Sequence, residues 1–286
     1  MSFSKKLVIL VGCLLILFYS YKQKQSNIVL GDLVVVGDVH GCPSCLQTTL
    51  YVNGVVDVNG HWIAGNRTVV QLGDLIGRGP NDPGVINYVQ QLEMEAEIAG
   101  GEWVQLIGNH EYMELNGDFR YGNDGPGSLF DIGSPEGSGF GSLKKRQQAF
   151  SEEGELGKWL RQKRLVYKWG DIVMVHGGIS SLEIAQIGID EINSGFLRGD
   201  RRAVDHLLWD RNLSLKQESE VCDILDTILE ELDATTMVVG HTITATIPNF
   251  KEGEIGNKCG GKLVLADVGM SSAFGHIPKY YRAVHF

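Results

Sequence analysis

The stretch LVVVGDVHG (Leu33–Gly41) decides the fold class, because it joins a buried strand to a turn that carries two chemically active side chains. Its four consecutive apolar residues, three of them β-branched, predict a short strand buried on both faces. Glycine ends this run, and Asp38 and His40 follow directly. A carboxylate and an imidazole after a buried strand indicate a site at the carboxyl edge of a sheet.

The same arrangement recurs four more times, each time with a metal-type ligand after a β-branched run. VVQLGDLIG carries Asp74, WVQLIGNHE carries Asn109 and His110, DIVMVHGG carries His176, and TMVVGHT carries His241. A single turn of this kind is commonplace. Five of them in order predict side chains that converge on one site.

Helical periodicity fills the intervals between the predicted strands. The predicted helices cover residues 82–97, 143–150, 188–208 and 216–232. Strands that alternate with helices indicate an α/β protein, in which ligands bind beyond the carboxyl ends of the strands. The pattern therefore predicts an α/β fold with all the strand-end residues at a shared edge.

The chemistry of the strand-end residues points to metal ions. They offer oxygen and nitrogen donors without a thiolate, which suits manganese, iron or zinc rather than a structural cysteine-zinc site. A carboxylate such as Asp74 can bridge two ions. Two ions about 3.5–4 Å apart clamp the attacking and leaving oxygens of an in-line phosphoryl displacement.

The ordered series GDVHG, GDLIGRG, GNHE, HGG and GHT resembles the motifs of calcineurin-like metallophosphoesterases of the phosphoprotein phosphatase superfamily. NGDFRY (Asn116–Tyr121), LLWDRNL (Leu207–Leu213) and GGKLVLADVGMS (Gly260–Ser271) narrow the resemblance to the Shewanella-like protein phosphatases. It implies a sandwich of two facing mixed β-sheets flanked by helices. It also implies hydrolysis of phosphomonoesters, foremost phosphoprotein (Ser/Thr or Tyr), by hydroxide held between two metals.

The resemblance assigns roles only at positions that match its motifs. The implied ligands of the two divalent ions are Asp38, His40, Asp74, Asn109, His176 and His241. Manganese is the expected metal, with iron or zinc as alternatives. His110 is the implied general acid and Arg78 the implied phosphate ligand. Arg211 and Arg120 are further candidates for binding phosphate, with a surface ion pair as the alternative for both. Asp267 is expected to orient a metal-binding histidine, or only to end a strand.

Gly77 is the position where the chain departs from the family motif, which has an acid here. That acid would hydrogen-bond the histidine that corresponds to His110. Either Glu111 or Glu114 replaces it, or His110 is a weaker acid and substrates with good leaving groups, such as phosphotyrosine, are preferred. Symmetrical diadenosine tetraphosphate hydrolases also carry a small residue here, so dinucleoside polyphosphate hydrolysis is the second candidate function. A non-catalytic, membrane-anchored binding protein is the third.

The N-terminus is compositionally separate from the rest of the chain. Residues 7–21 form an apolar run flanked by lysines, so residues 1–26 are predicted to be a signal-anchor that attaches a domain of residues 27–286 to a membrane. The alternative is a cleaved signal and a secreted or lumenal domain. The formal charge of −10 argues against a nucleic-acid partner. Membrane orientation and oligomeric state do not follow from the sequence.

Two segments beside the motifs are open to two interpretations each. Cys42 and Cys45 follow His40 and are predicted to be semi-buried cysteines at a helix start, with a redox switch acting on His40 as the alternative. The Gly-, Ser- and Pro-rich segment Tyr121–Gly141 is predicted to be a long loop. It either caps the site or serves as a linker.

Overall fold

The computed structural model describes residues 32–122, 143–274 and 282–286. The strands in these ranges are β1 (Leu33–Val36), β2 (Thr68–Gln71), β3 (Glu102–Gln105), β4 (Val166–Trp169), β5 (Ile172–Val175), β6 (Thr236–Val239), β7 (Gly256–Lys258), β8 (Leu263–Leu265) and β9 (Val284–His285). The α-helices are α1 (Pro43–Val52), α2 (Asp82–Ala99), α3 (Asn109–Leu115), α4 (Leu143–Phe150), α5 (Glu155–Arg161), α6 (Leu182–Ala185), α7 (Ile189–Leu197), α8 (Val204–Trp209), α9 (Asn212–Leu215) and α10 (Glu218–Glu231).

The strands form two mixed sheets. The first has the order β3-β2-β1-β9, in which β1, β2 and β3 are parallel and β9 is antiparallel. The second has the order β4-β5-β6-β8-β7, with a parallel centre of β5, β6 and β8 between two antiparallel edge strands. The α/β architecture with two mixed sheets is thus confirmed.

The alternation of side chains along β1 explains why the two sheets face each other. Val35 belongs to an apolar cluster that includes Val70 of the first sheet and Met174 and Val238 of the second. Val34 points the other way, into the cluster that packs beneath the helices. Since both faces are covered, each fully buried valine contributes about 1.5–3 kcal/mol relative to an exposed one.

Most of the predicted helices are present with small shifts at their ends. α2 begins after Asn81, whose side chain accepts a hydrogen bond from the Gly84 N–H, and ends at Gly100 in the left-handed conformation. The predicted helix 188–208 is broken into α7 and α8. Gly199, two residues after the end of α7, has φ +87°, which ends the helical run there.

Two disulfides join the four cysteines of the described ranges. Cys42 and Cys45 are buried and bonded to each other at the start of α1, and the disulfide is the bond that the redox alternative requires. A redox switch acting on His40 stays a prediction. Cys222 of α10 is bonded to Cys259, 37 residues further on. The sequence predicted no partner for either of these, because sequence distance does not reveal which loops pack together.

The predicted signal-anchor of residues 1–26 and nearly all of the predicted loop 121–141 lie outside the described residues. Within the described ranges, no helix has the length and apolar character needed to span a bilayer.

Candidate dinuclear metal centre

Two groups of donor atoms meet where the strands end. In the first group, His40, Asp74 and His110 place one donor atom each within 4.8 Å of one another. Asp74, His176 and His241 do the same in the second. All five side chains are buried, and Asp74 is common to both groups. The structure therefore places one carboxylate between two clusters of imidazoles.

The strand-end turns hold several of these residues in an uncommon backbone conformation. His40, Asp74, Arg78 and His241 have φ values of +46°, +51°, +68° and +62°. Non-glycine residues in this region cost on the order of 1–3 kcal/mol each and persist where the surroundings enforce them. Here the enforcement comes from neighbouring turns, since the backbone N–H groups of Val39 and His40 both donate to the Asp74 carbonyl.

The histidine contacts fit a divalent cation. His176 Nδ1 lies 3.0 Å from the Leu72 carbonyl oxygen, so it donates, and in the neutral ring Nε2 keeps its lone pair. That Nε2 faces two acceptors, Asn109 Oδ1 at 3.0 Å and Asp74 Oδ1 at 3.4 Å. Three acceptors in contact need either a proton or a cation among them. His241 Nε2 is buried without a hydrogen-bond partner, as expected of a metal ligand.

The other half of the centre is arranged in the same way. His40 Nδ1 lies 3.2 Å from the Gly77 carbonyl oxygen, which directs Nε2 towards Asp38 at 3.8 Å and Asp74 at 3.7 Å. The Asp38 carboxylate also accepts the backbone N–H of His241 at 3.1 Å. The structure therefore brings together all six residues that the resemblance implies as ligands.

The buried carboxylates of the centre would be stabilised in their ionised form by additional positive charge. Burial, with Asp267 and Asp74 nearby, raises the pKa of Asp38 well above its usual range. Burial likewise raises the pKa of Asp267 to about 6. Burial also acts to raise the pKa of Asp74, but His176, His110 and His40 outweigh it and hold that pKa well below its usual range. Bound cations would favour the ionised form of all three.

Glu111 fastens the turns together and does not take the place of the acid missing at residue 77. Its Oε2 accepts the backbone N–H groups of Asp74 and Gly108 at 2.8 Å, and its Oε1 accepts that of Ile76 at 3.1 Å. Glu114, the other candidate, pairs with Arg146. Both carboxylates are engaged elsewhere, which argues against the first of the two alternatives, that Glu111 or Glu114 supports His110.

Gln71 is a positioning residue that sequence reasoning missed. Its buried side chain donates to the carbonyl oxygens of Gly37 and Gly73, at 3.0 and 2.7 Å, and accepts the Gly73 N–H at 2.9 Å. These two glycines directly precede Asp38 and Asp74. Gln105 lies beside Gln71 in register and donates to it. The signal was a glutamine in both VVQL and WVQL, at the last position of two neighbouring strands.

A cavity of about 210 Å³ opens above the donor clusters. Its lining residues are His40, Asp74, Arg78, Asn109, His110, Arg211, His241, Ile243, Thr246, Asp267 and Phe274. The two arginines reach it from different elements. Arg78 Nε donates to His110 Nε2 at 3.1 Å, and an Arg211 N–H donates to Thr242 Oγ1 at 3.2 Å.

The surroundings of His110 explain the glycine at residue 77. Gly77 has φ +82°, and a Cβ atom added there would collide with His110 Nδ1. Tyr121 covers another side, with its ring centroid 5.0 Å from that of His110 and 4.2 Å from the Arg78 guanidinium carbon. NGDFRY thus supplies an aromatic support for the site, a role the sequence did not reveal.

Two other predicted residues have different outcomes. Arg120 lies at the surface, paired with Asp118 at 2.6 Å, and the structure does not bring it to the cavity, so its contact with phosphate stays a prediction. Asp267 lines the cavity, and its Oδ1 accepts the Gly269 N–H at 2.9 Å. That bond belongs to a strand-end turn, and the predicted hydrogen bond to a histidine stays a prediction.

The chain belongs to the calcineurin-like phosphoesterase family, whose model matches residues 31–245. It is therefore a hydrolase of the metal-dependent phosphatase class, which disfavours the non-catalytic interpretation. It is 28% identical to Shewanella-like protein phosphatase 2 of Arabidopsis thaliana, over 84% of this chain and 71% of that protein.

A cold-active protein-tyrosine phosphatase from a psychrophilic Shewanella species has a similar structure, with a TM-score of 0.67 and 28% identity over 85% of this chain and 72% of that one. A symmetrical bis(5'-nucleosyl)-tetraphosphatase of Legionella pneumophila is 28% identical, but only over 51% of this chain and 44% of its own length.

Proposed function

We propose that this chain binds two divalent metal ions and hydrolyses phosphomonoesters, with phosphotyrosine in proteins as its main substrate. The observation that carries the proposal is the position of Asp74 in both donor clusters, below a cavity that two arginines line. Asp38, His40 and Asp74 would hold one ion, and Asp74 with Asn109, His176 and His241 the other. When bound, the ions would supply Lewis-acid activation of water and of the phosphoryl group. Manganese is the proposed metal, with iron or zinc as alternatives.

Arg78 and Arg211 bind the phosphoryl oxygens in this proposal, since a guanidinium fork matches their geometry. Arg78 also links binding to proton transfer. In the structure its Nε–H donates to His110 Nε2. Turning the guanidinium towards phosphate releases this nitrogen, which can then hold the proton that His110 gives to the leaving oxygen.

The absence of a side chain at residue 77 favours an aryl leaving group. Among the described contacts of the His110 ring, the carboxylate is that of Asp74, 4.0 Å away and shared with the proposed metals. Burial, the larger effect, lowers the pKa of His110 below its ordinary value, and Asp118 raises the proton affinity of this ring only through its charge. A phenol, with a pKa of about 10, leaves with less help than an alcohol does. The similarity to a protein-tyrosine phosphatase supports the same choice.

The proposal is tested with two peptides of identical sequence that carry phosphotyrosine or phosphoserine, assayed with the wild-type chain and Mn²⁺. We expect kcat/KM to be at least tenfold higher for the phosphotyrosine peptide. Equal or reversed values would contradict the substrate assignment. Asp74→Asn, assayed in parallel, reports any contaminating phosphatase.

Dinucleoside polyphosphate hydrolysis is the second candidate. The acid of the family motif is missing at Gly77, and a phosphoanhydride, like an aryl phosphate, has a good leaving group that needs little help from an acid. Diadenosine tetraphosphate assayed in the same series separates the two. A kcat/KM above that of the phosphotyrosine peptide would replace the first proposal with the second.

We also propose that residues 1–26 are a signal-anchor for a domain of residues 27–286, with secretion after cleavage as the alternative. The two disulfides support an oxidising compartment for this domain, since disulfides are rare in the reducing cytosol. Membrane fractionation with carbonate extraction, followed by N-terminal sequencing, tests this. A full-length chain extracted with the soluble fraction would contradict anchoring.

A further inference from the structure

A buried arginine lies behind the metal centre and belongs to none of the motifs. Arg146 of α4 is fully buried. Its Nη2 donates to Asp82 Oδ2 at 2.8 Å and to Glu114 Oε1 at 2.9 Å, while its Nε donates to Glu114 Oε2 at 2.8 Å. A guanidinium fork can hold two carboxylates at once, which an ammonium group cannot do with the same geometry.

The first carboxylate leads to a metal ligand. Asp82 Oδ1 accepts the backbone N–H of Gly77 at 2.8 Å. The carbonyl oxygen of the same Gly77 lies 3.2 Å from His40 Nδ1 and so fixes which nitrogen of His40 faces the proposed metal. A continuous series of contacts therefore runs from Arg146 through Asp82 and Gly77 to His40.

The second carboxylate leads to the general acid. Glu114 lies four residues after His110 in α3, on the same face of the helix. Arg146 therefore contacts α3, which carries Asn109 and His110, through Glu114. Through Asp82 it is linked to the turn that carries Arg78. These two elements have to keep a fixed spacing for the ligands and the phosphate-binding side chain to meet.

We propose that Arg146 is a positioning residue of the metal centre, which sets the spacing between the Gly77 turn and α3 through Asp82 and Glu114. The proposal rests on the metal site of the proposed function. It predicts that loss of the fork weakens metal binding and turnover more than an equal loss of stability elsewhere does.

The test compares Arg146→Lys with Leu160→Ala, a buried residue of the adjacent helix α5 that takes no part in these contacts. Thermal unfolding in EDTA measures the stability of each metal-free chain. Calorimetric titration with Mn²⁺ measures affinity, and p-nitrophenyl phosphate at saturating Mn²⁺ gives kcat and KM. All binding and kinetic measurements are made well below the unfolding midpoints.

For Arg146→Lys we expect Mn²⁺ affinity and kcat each to fall at least tenfold, with KM changed less than threefold. Leu160→Ala should lower the unfolding midpoint by a similar amount and keep affinity and kcat within twofold of wild type. A folded Arg146→Lys within twofold of wild type in both quantities overturns the proposal. So does an equal loss in Leu160→Ala.

If Arg146→Lys does not fold, Asp82→Asn carries the same test with the same thresholds. It keeps the shape of the side chain and an oxygen for the Gly77 N–H, but presents an amide to the guanidinium. Wild-type chain that binds no Mn²⁺ overturns the metal site and the positioning role together. Wild-type chain that binds Mn²⁺, beside an unaffected variant, overturns the positioning role alone.

Discussion

Two buried clusters of charge lie side by side in this molecule, and they differ in where their positive charge comes from. Around Arg146, one guanidinium is in direct contact with the carboxylates of Asp82 and Glu114. Around Asp74, the neighbouring side chains are further carboxylates and histidines, and the arginines stand at the cavity. Burying charge is costly unless a partner is present. The comparison teaches that a side chain of the protein supplies the positive charge in the first cluster, whereas the geometry of the second cluster suits bound cations.

Asp74→Asn is expected to have the largest effect, because it removes the carboxylate shared by both donor groups. We expect the metal content to fall from two ions per chain to one or none, and kcat to fall about 10³-fold, the upper end of the range seen for loss of electrostatic stabilisation. Metal analysis and p-nitrophenyl phosphate turnover measure the two.

Asp226→Asn is the matched control for that prediction, since Asp226 forms a half-exposed surface pair with Lys262. It should leave both quantities unchanged. Full metal content in Asp74→Asn would show that the second cluster does not depend on this residue.

Gly77→Ala is expected to rank second. The new Cβ would collide with His110 Nδ1, so we expect the ring to shift and kcat to fall about 10²-fold, the lower end of the range for loss of general acid–base catalysis. For the same reason, the acid of the family motif could occupy residue 77 only if the His110 ring moved.

Gly199→Ala controls for the backbone effect in Gly77→Ala. Gly199 has a similar φ of +87°, but no atom lies within 4 Å of the added Cβ. Both variants carry the left-handed penalty of about 1–2 kcal/mol, and only Gly77→Ala should lose activity. An equal loss of kcat in the two would refute the role of the collision.

Gln71→Leu tests whether the turns before Asp38 and Asp74 need their amide contacts. Removing a buried partner leaves the Gly37 and Gly73 carbonyls unsatisfied, so we expect a loss of about 1–3 kcal/mol in the free energy of unfolding. We also expect Mn²⁺ affinity to fall several-fold. Urea denaturation and calorimetry are the measurements, with exposed Gln147→Leu as the control. Unchanged affinity would limit Gln71 to a structural role.

The smallest effect is expected for His61→Gln, which removes a surface pair of a histidine and a carboxylate. His61 pairs with Glu95 at 2.8 Å, and this contact raises the pKa of His61 above its ordinary value of about 6.5. The pair therefore stabilises the fold below that ordinary pKa, and the contribution is lost as pH rises through the folded pKa. His61→Gln should lower the unfolding midpoint slightly at pH 5.5 and not at pH 8.5. A constant difference would show that the pair does not titrate as described.

The candidate site was largely predictable, because each ligand follows a β-branched run whose strand character is local. LVVVGDVHG and TMVVGHT are 203 residues apart at Asp38 and His241, yet parallel strands of two sheets bring these residues into hydrogen-bond contact. What failed was the choice of a carboxylate partner for His110. Glu111 and Glu114 were candidates because they are close to His110 in sequence, and both point to other partners.

By itself, the sequence determined the α/β class, the strand-end turns and the residue types of the metal centre. Short apolar runs and the glycines after them act within a few residues, so their effect can be read from the chain. Only the tertiary structure decided that Arg146 joins Asp82, 64 residues away, and that Gly77 gives room to His110. Such contacts depend on how helices and turns pack across the sheets, and the spacing of residues along the sequence does not give the distance between their side chains in space.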